Sequence, residues 1–115
     1  MKFRRKSLIE GLEKLLASGK DSPELRFGLG NAYLGENLPQ QAELHLNACI
    51  DQKPSYTAAW KLLGKALYQQ HRLLESLDRY RKGIEIAERQ GDIQAQKEMI
   101  VFIKRIEKEL DSAAN

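Results

Sequence analysis

The sequence predicts an all-α domain made of antiparallel helical hairpins. Strand signals are nearly absent, because β-branched residues are few and no alternating apolar–polar run lies between turn dipeptides. The three prolines, Pro23, Pro39 and Pro54, each stand where a helix can begin or has just ended. The stretches between these boundaries carry helical periodicity instead. Because the connections are short, consecutive helices are expected to lie antiparallel to one another.

Six helices are predicted, over residues 5–18, 23–35, 39–52, 56–69, 73–89 and 93–111. Asp21-Ser22-Pro23-Glu24 opens the second helix with a capping side chain, a proline in the first turn and an acid near the positive end. Pro54-Ser55 can close the third helix and cap the fourth. Gly91-Asp92 places a C-terminal glycine before an N-cap aspartate, between the last two helices.

The composition is that of a single soluble domain spanning residues 1–115, with 42% apolar and 30% charged residues. No apolar run approaches the roughly 20 residues that a bilayer span requires, so no membrane association is expected. Glu10 and Glu13 interrupt the apolar region that a signal peptide would need. A lone cysteine, Cys49, fits a reducing compartment. We therefore expect a cytoplasmic protein.

The charged residues favour a solvated surface over a nucleic-acid interface. The net charge is only +3, from 19 basic and 16 acidic residues. Acid–base pairs four residues apart recur along the predicted helices, as is typical of solvent-facing surfaces: Glu10–Lys14, Glu75–Arg79, Asp78–Lys82 and Glu85–Arg89. The last helix has a basic face of Lys97, Lys104, Arg105 and Lys108, with Glu107, Glu109 and Asp111 nearby to neutralise it. Whether Arg4, Arg5 and Lys6 join that face is left open.

Three glycines crowd the stretch FGLGNAYLGENLPQQA, which begins at Phe27. A dinucleotide-binding loop would need a third glycine where Tyr33 stands, and a strand before the first glycine. The nearby Gly19-Lys20 lacks the remaining residues of a phosphate-binding loop. The pattern therefore argues against a nucleotide site.

The glycine pattern recurs downstream with small and large residues in step. Leu29-Gly30-x-x-Tyr33 returns as Leu63-Gly64-x-x-Leu67, an offset of 63 − 29 = 34 residues. A phosphate loop has no reason to repeat, whereas a helix-packing unit does. In a helical hairpin a small residue lets the partner helix approach closely while large residues fill the gaps around it. Gly30 and Gly64 are thus expected to pack against the following helix, near Ala42 and Ser76.

These positions resemble the tetratricopeptide repeat, with one copy over residues 23–56 and a second over 57–90. The resemblance implies a right-handed stack of hairpins whose packing residues are Leu29, Gly30, Tyr33, Ala42, Leu46, Cys49, Pro54, Trp60, Leu63, Gly64, Leu67, Ser76, Tyr80 and Gly83. Two positions depart from the pattern. Arg26 stands where the second copy has Trp60, and Glu88 replaces a proline matching Pro54. The fifth helix is therefore expected to run on to Gly91.

The flanking helices complete the stack. Shifted back by one repeat, Leu8, Leu12, Leu15 and Leu16 fall under Ala42, Leu46, Cys49 and Ile50, so residues 5–18 read as the second helix of a hairpin without its first. Residues 92–111 form the closing cap, with an apolar stripe of Ile93, Met99, Phe102, Ile103, Ile106 and Leu110. Repeat arrays need such ends, because a single unit cannot bury its own apolar face.

The resemblance also implies a ligand groove along the first helix of each repeat. The residues that lie off the packing face are Phe27, Gly28, Asn31, Leu34, Ala58, Lys61, Leu62, Lys65 and Tyr68. Asn31 can bond to a ligand backbone, and the two lysines, one turn apart, favour an acidic side chain or a C-terminal carboxylate. The alternative is that the lysines are solvated and Phe27 packs on the first helix. Of the clamp that holds chaperone tails in some family members, Asn31 matches, but Phe27 and Leu62 do not.

Other chemistry finds little support. His45 and Cys49 lie four apart on one helix, but a structural zinc site wants four ligands, and Cys49 falls where the repeat buries a small residue. His71 is predicted in a turn, and Trp60 as a wedge between repeats. No catalytic residue, metal or cofactor is predicted. The sequence thus indicates a non-enzymatic module that binds a protein or peptide, as a monomer or weak homodimer. Homo-oligomeric assembly and, less favoured, nucleic-acid binding are the alternatives.

Overall fold

The computed structural model describes the backbone of residues 2–114 and the side chains of residues 4–114. This part of the chain forms six α-helices and no strand, which confirms the predicted fold class. The helices are α1 (Lys2–Ala17), α2 (Pro23–Gly35), α3 (Pro39–Gln52), α4 (Thr57–Gln69), α5 (Leu73–Gln90) and α6 (Ile93–Ala114). The bounds of α2 and α3 are those predicted, and the other four helices differ by one to three residues at an end. Over the described range, none of these helices combines the length and apolar character needed to cross a bilayer.

Ser22, Gly91 and Asp92 close helix ends at the expected places, but Ser55 does not cap the fourth helix, because α4 begins after Tyr56 without a side-chain cap. The Ser22 hydroxyl accepts a hydrogen bond from the Leu25 amide at 3.0 Å, and Pro23 follows in the first turn of α2. Gly91 ends α5 with φ at 71°, a left-handed conformation that glycine adopts without a steric penalty. Asp92 then caps α6, because its carboxylate accepts from the Ala95 amide at 3.0 Å. Gly91 therefore sets the end of the longer α5, and the adjacent Asp92 sets the start of α6.

The helices form two layers. Each helix packs on the next one in the chain, and α4 also packs on α2 and on α6, whereas the backbones of α1, α3 and α5 do not come close to one another within the described residues. A stack whose one layer is closely packed and whose other layer is splayed must curve toward the packed layer. The face of α2, α4 and α6 is consequently concave, as in a tetratricopeptide stack.

Close approach between consecutive helices occurs at three glycines. A Cβ atom added at Gly30 would lie 2.5 Å from Cγ of Leu46, and one at Gly64 would lie 2.7 Å from the ring of Tyr80. Leu46 and Tyr80 occupy the same repeat position, so each hairpin packs its glycine against the corresponding side chain of the next helix. Gly83 leaves room in the same way for Met99 of α6. No real Cβ atom sits that close to another carbon, so these helix pairs require glycine.

The core runs the length of the stack between the layers. Ala42, Leu46, Cys49 and Ala59 are fully buried in the first cluster, and Leu63 and Leu67 nearly so. The second cluster joins Tyr80 of α5 to Met99 and Ile106 of α6. Ser76 adds a polar contact inside it, because its hydroxyl donates to the Gly64 carbonyl at 2.6 Å. Trp60 bridges the repeats: its side chain lies against Gly83, and its indole N–H donates to the Pro54 carbonyl at 2.8 Å.

A polar network replaces the aromatic wedge in the first repeat. Arg26, at the position of Trp60, donates two hydrogen bonds of 2.9 Å to the carboxylate of Asp21. Its guanidinium also lies 3.1 Å from Nδ1 of His45, which is 5% exposed and stacks on Tyr33. The other ring nitrogen of His45 is 3.5 Å from a carboxylate oxygen of Glu13 on α1. Arg26 therefore links α2 to α3 and to the turn before α2 by hydrogen bonds instead of apolar area, and His45 in turn lies beside Glu13 of α1.

Burial lowers the pKa of His45 below its ordinary value, since the charged ring would be desolvated there. The neighbouring charges act in opposite directions, since Glu13 and Asp21 raise the pKa of His45 and Arg26 lowers it. The folded state therefore favours the neutral ring, which can accept from Arg26.

We predict that Gly30→Ala lowers the free energy of unfolding by up to about 2 kcal/mol. Overpacking costs about 1–3 kcal/mol and outweighs the roughly 1 kcal/mol that alanine returns in helix propensity. Leu46 cannot move aside, because it is fully buried. Urea unfolding followed by circular dichroism at 222 nm measures the change. Gly11→Ala is the matched control, since nothing lies within 4 Å of a Cβ added there. Gly11→Ala should raise the free energy of unfolding of the dilute protein. If Gly30→Ala raised it as well, the close packing of Gly30 on Leu46 would be contradicted.

We also predict that stability falls as the pH drops below about 6.5, the ordinary pKa of histidine. Because the folded pKa of His45 is the lower one, the unfolded chain binds the proton more readily, so unfolding is favoured in acid. One linked proton gives a slope of at most about 1.4 kcal/mol per pH unit. The measurement is the urea midpoint between about pH 7.5 and pH 5, above the range where carboxylates titrate. In a His45→Gln variant that slope should disappear, and its survival would assign it to another group.

Candidate functional site

The candidate site is the concave surface, defined here as the solvent-facing side of α2, α4 and α6. On α2 it is narrower than the sequence suggested. The ring of Phe27 is half-buried and stacks on Tyr56, with centroids 5.0 Å apart, and Gly28 lies against Leu12 of α1. Leu34 does not line the surface at all, because it is 6% exposed and belongs to the first core cluster. Asn31 is the exposed one of the four residues proposed on this helix.

On α4 the structure separates two lysines that the sequence treated alike. The ammonium of Lys61 bonds to the carboxylate of Glu98 on α6 at 2.5 Å, so its acidic partner is already supplied by the chain. Tyr68 likewise donates to Glu109 of α6 at 2.8 Å. Leu62 and Ala58 are half-buried, and Leu62 packs on the first core cluster. Lys65 is exposed and is the residue of this group that faces solvent.

Both internal bonds involve acids of α6 that sequence reasoning had not assigned to the site. The hydrogen bond from Lys61 lowers the pKa of Glu98, and the bond to Glu109 raises the pKa of the Tyr68 phenol. Glu107 pairs with Arg81 of α5 at 3.2 Å. A helical wheel of α6 could have placed Glu98 and Glu109 together on one side, but it could not say which helix they would meet.

Because these carboxylates are used, the outer face of α6 is basic. Lys97, Lys104 and Lys108 are exposed. Glu107 and Glu109, which were expected to neutralise these lysines, are bonded to Arg81 of α5 and Tyr68 of α4 instead. Between the lysines lies Val101, an apolar side chain that is 58% exposed. Counted from the first residue of each helix, Val101 is the ninth residue of α6, as Lys65 is the ninth of α4. The concave surface thus offers an amide, ammonium groups and one apolar contact.

A cleft of about 540 Å³ opens at one end of this surface, between the C-terminal ends of α4 and α6. Its lining includes Tyr68, Leu73, Lys108 and Glu109. The walls are mostly apolar, while Lys108 and Glu109 bring one charge of each sign. Such a cleft has room for a large side chain of a bound segment.

The other candidate ligands of the sequence do not meet. Cys49 is fully buried, and its burial raises the pKa of the thiol to about 11, which keeps it protonated and unreactive. His45 turns instead to Arg26 and Glu13. Among the described residues, no three acid, histidine or cysteine side chains cluster as a metal site would require. His71 is exposed in the turn between α4 and α5, with φ at 61°.

The basic residues before the second helix are partly structural. Arg5 donates to the carbonyl of Gly35 at the C-terminal end of α2 and lies 3.8 Å from Glu36. A cation in that place favours the negative end of the helix dipole. Arg4 and Lys6 are exposed and stay on α1, outside the concave surface.

We predict that Lys61→Glu weakens the docking of α6, because it puts a second carboxylate beside Glu98. Both side chains are about one-third exposed, so the expected loss is modest, about 1 kcal/mol in the free energy of unfolding. The double variant Lys61→Glu/Glu98→Lys should recover most of that loss. Urea unfolding of the two single variants and the double variant gives the coupling energy. Additive losses would show that the pair contributes nothing to the packing of α6.

No protein-family model matches the sequence. A TPR repeat-containing protein of Pseudomonas aeruginosa, PA0015, is 45% identical over 101 residues, which cover 88% of this chain and 96% of the relative. Among solved structures, the solution structure of protein BPP2914 from Bordetella parapertussis is 38% identical, with a TM-score of 0.80 over 89% of each chain.

Two more distant structures share the fold. The TPR domain of Sgt2 from Aspergillus fumigatus superposes with a TM-score of 0.82 at 23% identity, over 97% of this chain and 74% of that one. The first TPR domain of Spaghetti (RPAP3), bound to an HSP90 peptide, has a TM-score of 0.68 at 21% identity over 96% of each chain. With the repeat contacts at Gly30 and Gly64 and a near full-length relative at 45% identity, the chain belongs to the tetratricopeptide repeat family.

Proposed function

We propose that this protein is a non-enzymatic interaction module that holds an acidic segment of a partner protein on its concave surface. The observation that carries the proposal is the pair Asn31 and Lys65. They occupy the same position in successive repeats, and both remain exposed while the neighbouring Lys61 and Tyr68 are bonded within the chain. Polar groups left open at one repeat position are suited to a ligand that runs across the helices.

The chemistry of the surface indicates how a segment would bind. The Asn31 amide can both donate to and accept from a peptide backbone. Lys65 offers an ammonium group to a carboxylate, and the exposed Lys97 and Lys104 on α6 add further positive charge. Val101 and the cleft beside Tyr68 supply apolar contact for one or two side chains. Because the helices are already folded, binding orders little of the scaffold.

The structural neighbour RPAP3 supports the choice of ligand class, since the peptide bound to that protein reads SRMEEVD and is acidic. The present chain has Phe27 and Leu62 where the chaperone-tail clamp of the family has polar residues. We therefore propose an acidic segment with its own sequence preference as the partner.

The test is a pull-down from lysate with the wild-type chain and the single variant Lys65→Glu. This variant changes an exposed charge and leaves the Lys61–Glu98 bond intact. Circular dichroism should therefore show the same helical content as in the wild type. We predict that the principal interactor of the wild type is lost, with at least a tenfold weaker affinity once that partner is purified, which corresponds to about 1.4 kcal/mol.

Lys20→Glu is the matched control, because it makes the same charge change in the exposed turn between α1 and α2. It should retain the interactor. If Lys65→Glu and Lys20→Glu retain the same set of proteins as the wild type, the binding site lies elsewhere and the proposal fails.

A further inference from the structure

The outer face of α1 has the residues of a packing surface, but no helix of the described chain lies over it. In the repeat register, Leu8 and Leu15 correspond to Ala42 and Cys49 of α3, which are fully buried beneath α2. Leu8 is 52% exposed and Leu15 is 45% exposed. Because α1 matches the second helix of a hairpin, the face that a first helix would cover is open to solvent in the described part of the chain.

Gly11 lies in the middle of this face, three residues after Leu8 and four before Leu15. The other glycines within the helices, Gly28, Gly30, Gly35, Gly64 and Gly83, each have a neighbouring side chain within 4 Å of an added Cβ, whereas nothing approaches Gly11 in the described chain. A glycine inside a helix costs about 1 kcal/mol relative to alanine. Elsewhere in this protein that cost accompanies the close approach of another helix, and at Gly11 the approaching helix is missing.

We propose that this face binds the same face of a second copy, with the two α1 helices antiparallel and crossing near Gly11. The spacing Arg4, Leu8, Gly11, Leu15, Ser18 alternates four and three residues, which keeps one seam on one side of a helix. At a crossing near Gly11, Leu8 of one copy lies level with Leu15 of the other. The glycine lets the two backbones come close, as Gly30 does for Leu46 within the chain.

Charge selects the antiparallel arrangement and the identical partner. A parallel pair would set Arg4 and Lys6 of both copies side by side, with like charges opposed. In an antiparallel pair related by a twofold axis, equivalent flanks face each other, so Glu10 of each copy lies within about one residue rise of Lys14 of the other. The basic start of each helix also comes near the C-terminal end of its partner, where the helix dipole is negative.

The expected interface is small. The sixteen residues of α1 span about 24 Å at 1.5 Å per residue, and a pair of such helices buries less than the roughly 1,200 Å² of a stable interface. The dimer should therefore be weak and depend on concentration. It uses neither Asn31 nor Lys65, so it leaves both concave surfaces open and presents two binding sites at once. A partner with two acidic segments would gain from such bivalency.

Sedimentation equilibrium of the full chain from about 10 μM to about 1 mM tests the association, since this range covers weak interfaces. We expect the mean mass to rise from the monomer value of 13.2 kDa toward twice that value. Leu8→Gln/Leu15→Gln should keep the mass at that of the monomer. Gly11→Gln should do the same while stabilising the dilute protein, a combination that a purely structural role of Gly11 would not produce.

Leu44→Gln is the matched control, because Leu44 is 65% exposed on α3 and lies outside the proposed seam. It should dimerise as the wild type does. A wild type that stays monomeric throughout the range would overturn the proposal and leave a foreign helix as the occupant of the face. A dimer that the α1 variants leave intact would overturn it as well.

Disulfide trapping tests the orientation. A mixture of Arg4→Cys and Ser18→Cys proteins should form a mixed cross-link under mild oxidation, since those positions lie level in an antiparallel pair. Each variant alone should form few cross-links, and the natural Cys49 is buried. Efficient cross-linking of Ser18→Cys with itself would indicate a parallel pair and overturn the assignment.

Discussion

At Gly30 and Gly64 the backbone of one helix lies directly against a large side chain of the next, Leu46 in one repeat and Tyr80 in the other. The rest of the structure depends on this contact. It fixes the spacing within each hairpin, and that spacing brings α2, α4 and α6 together as one layer while α1, α3 and α5 stay apart. The curvature that exposes Asn31 and Lys65 on one side follows from the unequal packing of the two layers. A methyl group at either glycine would act on the binding surface through the scaffold.

The two repeats carry chemically different side chains at one corresponding position, Trp60 in the second repeat and Arg26 in the first. Trp60 supplies apolar area against Gly83 and needs only one hydrogen bond for its indole. Arg26 lacks that area and is held by Asp21 and His45, while Gln52 at the end of α3 donates to the same carboxylate at 2.9 Å. A charged group near a core is tolerable only when such partners satisfy it. The N-terminal end of the stack therefore depends on polar contacts, which are more sensitive to pH than the apolar contacts of the second repeat.

The two ends of the stack are finished in different ways. At the C-terminal end, α6 packs mainly on α5 and bonds to Lys61 and Tyr68 of α4, so both side chains already have partners within the chain. At the N-terminal end, α1 covers α2 with one face and leaves the leucines of another face uncovered. The concave surface and the face of α1 do not share residues. The proposed ligand binding and the proposed self-association can therefore be tested separately by substitution.

The sequence by itself determined the six helices, the caps at Ser22, Gly91 and Asp92, and the repeat register, because these depend on neighbours in the chain or on a repeated pattern of side-chain size. Ser22, Gly91 and the paired glycines could be interpreted without coordinates for that reason. It did not determine which groove residues are open. Lys61 and Lys65 lie one turn apart and look equivalent in sequence, yet Lys61 bonds to Glu98, 37 residues away, and Tyr68 to Glu109, 41 residues away. The helical position of Leu34 predicted that it lines the groove, but the structure buries Leu34 in the first core cluster. Only the tertiary structure decides such pairings, because they depend on how α6 crosses α4, and neither helix encodes that geometry alone.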